Sequence, residues 1–141
     1  MLYLDDPGSK RVLVVEDELA MRRAMMRALG KAGYECIGAV NVAEARNHLD
    51  GTEFGAVITD LRMWGEDGIE LVRYIGDEHP ATLTIVVTGF ADDRMADTID
   101  RSGAFALLRK PFELPELVEK VSEALEVRAE KMAQLRHVTA W

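Results

Sequence analysis

Ala56-Val57-Ile58-Thr59-Asp60-Leu61-Arg62-Met63 decides the fold. Three apolar residues followed by Thr, Asp and Arg describe a strand that leaves a hydrophobic interior for a polar rim and stops on a carboxylate. Three other apolar runs end in the same way. Val12-Leu13-Val14-Val15 delivers Glu16 and Asp17, Leu83-Thr84-Ile85-Val86-Val87 delivers Thr88, and Phe105-Ala106-Leu107-Leu108 leads to Arg109, Lys110 and Pro111. Segments of helical periodicity separate these runs. Strands buried on both faces and joined by helices make a parallel sheet, which binds its ligands at the carboxyl ends of the strands. The pattern predicts an α/β, doubly wound fold with three acids, a hydroxyl and an amine at one edge.

Working outward from the central run, the first strand spans about Arg11 to Val15 and a helix follows from Glu18 to Lys31. Met21, Met25, Ala28, Leu29 and Ala32 share one face of that helix, Arg22, Arg23 and Arg27 take the other, and Gly33 closes it. A short strand, Glu35 to Val40, leads to Asn41 and Glu44, whose spacing predicts a capping box opening a helix to about Asp50. After Asp60, a loop from Met63 to Gly68 precedes a helix from Ile69 to Asp77 that buries Ile69, Leu71, Val72 and Ile75. The helix ending near Arg101 has a thin apolar face. The last helix starts near Leu114 and runs without a breaker to about His137. Five strands and five helices alternate strictly.

The 141 residues suit one domain, and 48% hydrophobic content is ample for its core. The expected organisation is a loose leader over 1–9, the folded body over 10–127 and a helical extension over 128–141. No apolar run approaches membrane-spanning length, and Met1 to Pro7 lacks the basic and apolar regions of a signal peptide. The single cysteine, Cys36, excludes an internal disulfide and fits a reducing cytoplasm. A formal net charge of −8 argues against direct binding of nucleic acid. Beyond Val127 the last helix outruns the sheet. Leu125, Met132 and Leu135 continue an a/d-like stripe there, interrupted by Arg128, so weak self-association through this helix is set against a fraying end.

Glu16, Asp17 and Asp60 brought together cannot all stay ionised cheaply without a cation. Hard oxygen ligands with open positions suit Mg²⁺, which joins carboxylates to phosphate oxygens. Thr88 can donate a hydrogen bond to a phosphoryl oxygen, and Lys110 can neutralise its charge. A carboxylate beside such an ion is a competent nucleophile and can form an aspartyl phosphate. His48, His79 and His137 show no metal-ligand spacing.

In this order, Glu16-Asp17, Asp60-x-x-Met63-x-x-x-Asp67-Gly68, Thr88-Gly89, Gly103-Ala104 and Lys110-Pro111-Phe112 resemble the receiver domain of bacterial two-component response regulators. The resemblance covers about residues 10 to 127. It implies a flavodoxin-like three-layer sandwich whose five-stranded parallel sheet has the order 2-1-3-4-5. It also implies a Mg²⁺-dependent phosphoacceptor signalling domain that assists its own phosphotransfer and dephosphorylation. Asp60 would accept a phosphoryl group from a sensor histidine kinase or a histidine phosphotransfer protein. Asp17 would bind Mg²⁺ directly, Glu16 mainly through water, and the carbonyl of Arg62 would complete the protein ligands. Thr88 would be the switch hydroxyl and Lys110 the partner of Asp60, with a cis bond to Pro111.

Two positions depart from the family pattern. Trp64 stands where proline is common, and Leu107 stands where an aromatic ring usually reports on the phosphate. Phe105 is expected on the same face as Leu107, displaced by about 7 Å. Arg62 and Phe90 are expected to flank the pocket entrance. A haloacid-dehalogenase-like phosphatase would want an acid where Arg62 stands. A flavodoxin would want a Ser/Thr-rich loop in place of Glu16-Asp17-Glu18.

Overall fold

The computed structural model describes residue 6 and residues 8–63, 66–89 and 93–139. Five parallel strands, β1 (Arg11–Val15), β2 (Glu35–Ala39), β3 (Ala56–Asp60), β4 (Leu83–Thr88) and β5 (Ala106–Arg109), form one sheet in the order β2-β1-β3-β4-β5. Helices α1 (Leu19–Lys31), α2 (Val42–Gly51), α3 (Gly68–Glu78), α4 (Asp93–Arg101) and α5 (Leu114–Thr139) alternate with them. This is the doubly wound sheet that the apolar runs predict. Between β3 and α3 the structure adds a two-residue antiparallel ladder, Arg62–Met63 against Glu66–Asp67, where the sequence predicts a loop.

The side-chain period of the strands sorts the core into two layers. Val12, Val14, Ile58, Ile85 and Val87 face α1 and α5, where Met25, Leu29, Leu117, Val121 and Ala124 meet them. Leu13, Val15 and Val57 face the other way, onto Ala45 and Leu49 of α2 and Leu71 and Ile75 of α3. Val86 packs with Ile69, Val72 and Ile99 under α3 and α4. Every residue of β3 is buried, and the strand is paired on both sides, which fixes the position of its terminal carboxylate. Burying each large side chain contributes about 1.5–3 kcal/mol.

The helix ends follow their sequence signals. Gly33, at φ 97°, closes α1 with paired bonds from its own N–H to Gly30 and from Tyr34 N–H to Leu29. Asn41 Oδ1 accepts from Glu44 N–H at 2.8 Å and opens α2.

Two expectations are corrected. Phe105 sits in a bend one residue before β5, so strand alternation does not govern it. It packs against the α1–α5 core, while Leu107 packs with the cluster under α3 and α4. Arg128 does not merely interrupt an exposed stripe; it is 2% exposed. Its Nε donates to the Ala81 carbonyl at 2.8 Å, its guanidinium pairs with Asp6, and Glu53 lies 3.9 Å away. Gly8 and Gly55 meet beside it: a β-carbon on Gly55 would stand 2.4 Å from both the Gly8 oxygen and Leu125. Farther along α5, Met132 is half-buried and Leu135 is exposed.

Candidate functional site

The carboxyl ends of β1, β3, β4 and β5 converge. Glu16 follows β1 directly, Asp60 ends β3, Thr88 ends β4, and Lys110 follows β5 on a cis peptide bond to Pro111. Lys110 Nζ donates to Asp60 Oδ2 at 2.6 Å and to Glu16 Oε1 at 3.4 Å. Glu16, Asp60 and Thr88 are buried and Asp17 is half-buried, so these polar side chains sit at the floor of the rim. Lys110 is positioned from the backbone upward, since its N–H donates to the Thr88 carbonyl at 2.8 Å.

The electrostatics are dominated by acid. Burial pushes the Glu16 carboxyl above its ordinary range, and the neighbouring Asp17 and Asp60 carboxyls add to that. A bond from Glu18 N–H and the charge of Lys110 work against it without prevailing. Burial alone would lower Lys110, but its bonds and charge attraction to Asp60 and Glu16 outweigh burial and raise it. One ammonium therefore serves more carboxylate than it can neutralise. Among the described residues, no three acids, imidazoles or thiols close on a common metal centre. The ammonium of Lys110 lies against both Asp60 and Glu16. The donors at the rim are nonetheless all hard oxygens of the kind Mg²⁺ takes.

Of the sequence-predicted residues, the structure brings Glu16, Asp60 and Lys110 into contact and sets Thr88 beside them. Arg62 enters the two-residue ladder just past Asp60. Trp64 and Phe90 lie outside the described residues. His79 is remote, with Nε2 3.2 Å from Asp50 Oδ1. Sequence reasoning missed two supports. Arg22, assigned to the outer face of α1, donates to the Glu16 carbonyl at 2.9 Å. Gly68 packs its backbone against Asp60 and Leu61; the signal for it was Asp67-Gly68 itself, a turn pair in front of an apolar helix.

The profile of the response regulator receiver domain matches residues 12–122. The chain belongs to this receiver family. It is 36% identical over 116 residues to the response regulator receiver protein CpdR of Brucella abortus (strain 2308), covering 82% of this chain and 97% of that one. It is 38% identical over 124 residues to the sensor kinase CckA of the same organism, covering 86% of this chain but 13% of the kinase. Against the crystal structure of a response regulator receiver protein from Pseudomonas putida the TM-score is 0.75 at 37% identity, over 80% of this chain and 95% of that one. The receiver is thus a signalling domain of two-component systems. None of its described helices is long and apolar enough to cross a membrane.

Proposed function

We propose that this receiver accepts a phosphoryl group on Asp60. One observation carries the reading: a buried carboxylate ends the central strand with the Lys110 ammonium 2.6 Å away. The donor is a sensor histidine kinase or a histidine phosphotransfer protein, a reading supported by the likeness to part of a sensor kinase. An Asp60 oxygen attacks phosphorus, the phosphorus–nitrogen bond breaks, and the imidazole leaves with its electron pair. Lys110 holds charge against the phosphoryl oxygens, and the Thr88 hydroxyl donates to one of them. Water attack on the same phosphorus later releases phosphate and restores the carboxylate.

Glu16, Asp17, Asp60 and the Arg62 carbonyl would hold Mg²⁺. The excess of carboxylate over ammonium at Glu16 supports a cation there. Bound Mg²⁺ supplies charge neutralisation for the acids and the phosphoryl oxygens.

The body proposed to do this spans 10–127, with a leader over 1–9 and a helical extension over 128–141, and it acts in the cytoplasm. Readout rests on Thr88 and α4, because Leu107 offers no ring to rotate. Met132 and Leu135 support weak self-association along α5, tested by sedimentation of the full chain against one ending at Val127.

The acceptor is tested with acetyl phosphate and Mg²⁺. The expected result is one added phosphoryl group on the wild type and none on Asp60→Asn, whereas undiminished labelling of the variant would sink the assignment.

A further inference from the structure

Arg22 reaches from the first turns of α1 to the turn that carries both Glu16 and Asp17. Its guanidinium donates to the Glu16 carbonyl at 2.9 Å. The same turn is held by Glu16 N–H to the Ala39 carbonyl at 3.0 Å and by Glu18 N–H to Glu16 Oε2 at 3.1 Å. The guanidinium bond ties this turn to α1 by a side chain. The stem of Arg22 passes over β2 at Gly38, where a β-carbon would stand 3.2 Å from Arg22 Cδ and 3.0 Å from Met26 Sδ. Gly38 is thus the slot in which the arginine lies.

From these contacts we infer that Arg22 is a positioning residue for the acidic turn. It fixes the backbone from which Glu16 and Asp17 project, and Gly38 sets the path of its stem. The inference rests on the proposed Mg²⁺ site. The chemistry gives it a sign that a mere charge would not have. Arg22 is cationic, so removing it would strengthen cation binding if charge alone mattered. If it orients the ligands, removing it weakens binding instead, as loss of orienting partners does at metal sites.

The test is a titration of the full chain with Mn²⁺, followed by electron paramagnetic resonance, and with Mg²⁺, followed by calorimetry. Arg22→Met is expected to bind either ion about tenfold more weakly, with the melting temperature of the metal-free protein little changed. Arg22→Lys, which keeps a donor on a long stem, is expected to regain part of that loss. Gly38→Ala is expected to weaken binding by about threefold in the wild-type background and to have no effect beside Arg22→Met, since the two act through one contact. Wild type that takes up neither ion would overturn the metal reading and this inference together. Wild type that binds, with Arg22→Met binding equally or more tightly, would overturn the inference alone. Additive losses in the double variant would break the link between Gly38 and Arg22.

Discussion

Gly68 seats the first turn of α3 so close to Asp60 that a β-carbon on it would stand 2.8 Å from the Asp60 carbonyl oxygen and 2.8 Å from Leu61 Cα. Both neighbours are backbone, and neither can swing aside as a long side chain would. The end of β3 and the start of α3 therefore hold position as one unit.

Gly68→Ala is expected to cost about 1–3 kcal/mol, the range for forcing extra volume into packed structure, and to slow labelling of Asp60. Gly76→Ala is the internal control, because a β-carbon there meets nothing and alanine suits a helix better by about 0.5–1 kcal/mol. Urea unfolding of both checks the contrast. Equal stabilities would mean that the contact with Asp60 is loose.

Glu16→Gln is expected to stabilise the metal-free receiver at neutral pH. A carboxyl raised above its unfolded value, here near 4.5, favours folding below that pH and loses that contribution as pH rises through its folded pKa. Glutamine never incurs the loss. A gain of about 1 kcal/mol would lift the melting temperature by roughly 3–5 °C. Added Mg²⁺ should stabilise wild type more than the variant. Calorimetric melts over pH 4 to 8 decide it, and a variant that melts below wild type at neutral pH would show that Glu16 is satisfied as it stands.

Arg128→Ala is expected to destabilise the fold by about 3 kcal/mol, since it strands a buried partner. Asp6 and Arg128 side chains are 8% and 3% exposed, unlike the surface pair Arg101–Asp97, whose loss should cost under about 1 kcal/mol. Matched losses in the two variants, measured by denaturant unfolding, would count against the clasp.

Most of this was legible in one dimension, and the exceptions share a cause. Four apolar runs ending in polar residues reported the sheet and the polar edge where Glu16, Asp60, Thr88 and Lys110 gather, because burial and strand direction both act locally. Asn41 with Glu44 and Gly33 marked helix ends for the same reason. Arg128 read as a flaw in an apolar stripe because its partner, Asp6, is 122 positions away and meets it only when the sheet has closed. Arg22 read as an outward charge because nothing in helical periodicity reveals a carbonyl at the end of the preceding strand. Phe105 was misplaced by an alternation rule that begins one residue later.

Cys36 is expected to resist alkylation in the folded state. Burial, with a smaller contribution from Glu35, pushes its thiol up to about 11. Near pH 8 that leaves about one thiolate in a thousand. Reaction with iodoacetamide should be slow in buffer and faster by roughly a hundredfold in guanidinium chloride. Equal rates would place the thiol in solvent.

The Arg128 clasp also decides how a pull on α5 would travel. The arginine is bonded to Ala81, in the turn that feeds β4, and to Asp6, in the segment that feeds β1. Tension drawn along the helix from its C-terminal end thus enters the sheet through two strand starts, at the rim opposite Asp60. There it loads the parallel ladder lengthwise, in shear across many hydrogen bonds, and does not peel one strand away. The helix is thus held at both ends of the sheet, by the Arg128 clasp at the base and by its covalent link to Lys110 at the rim, four residues before α5 begins.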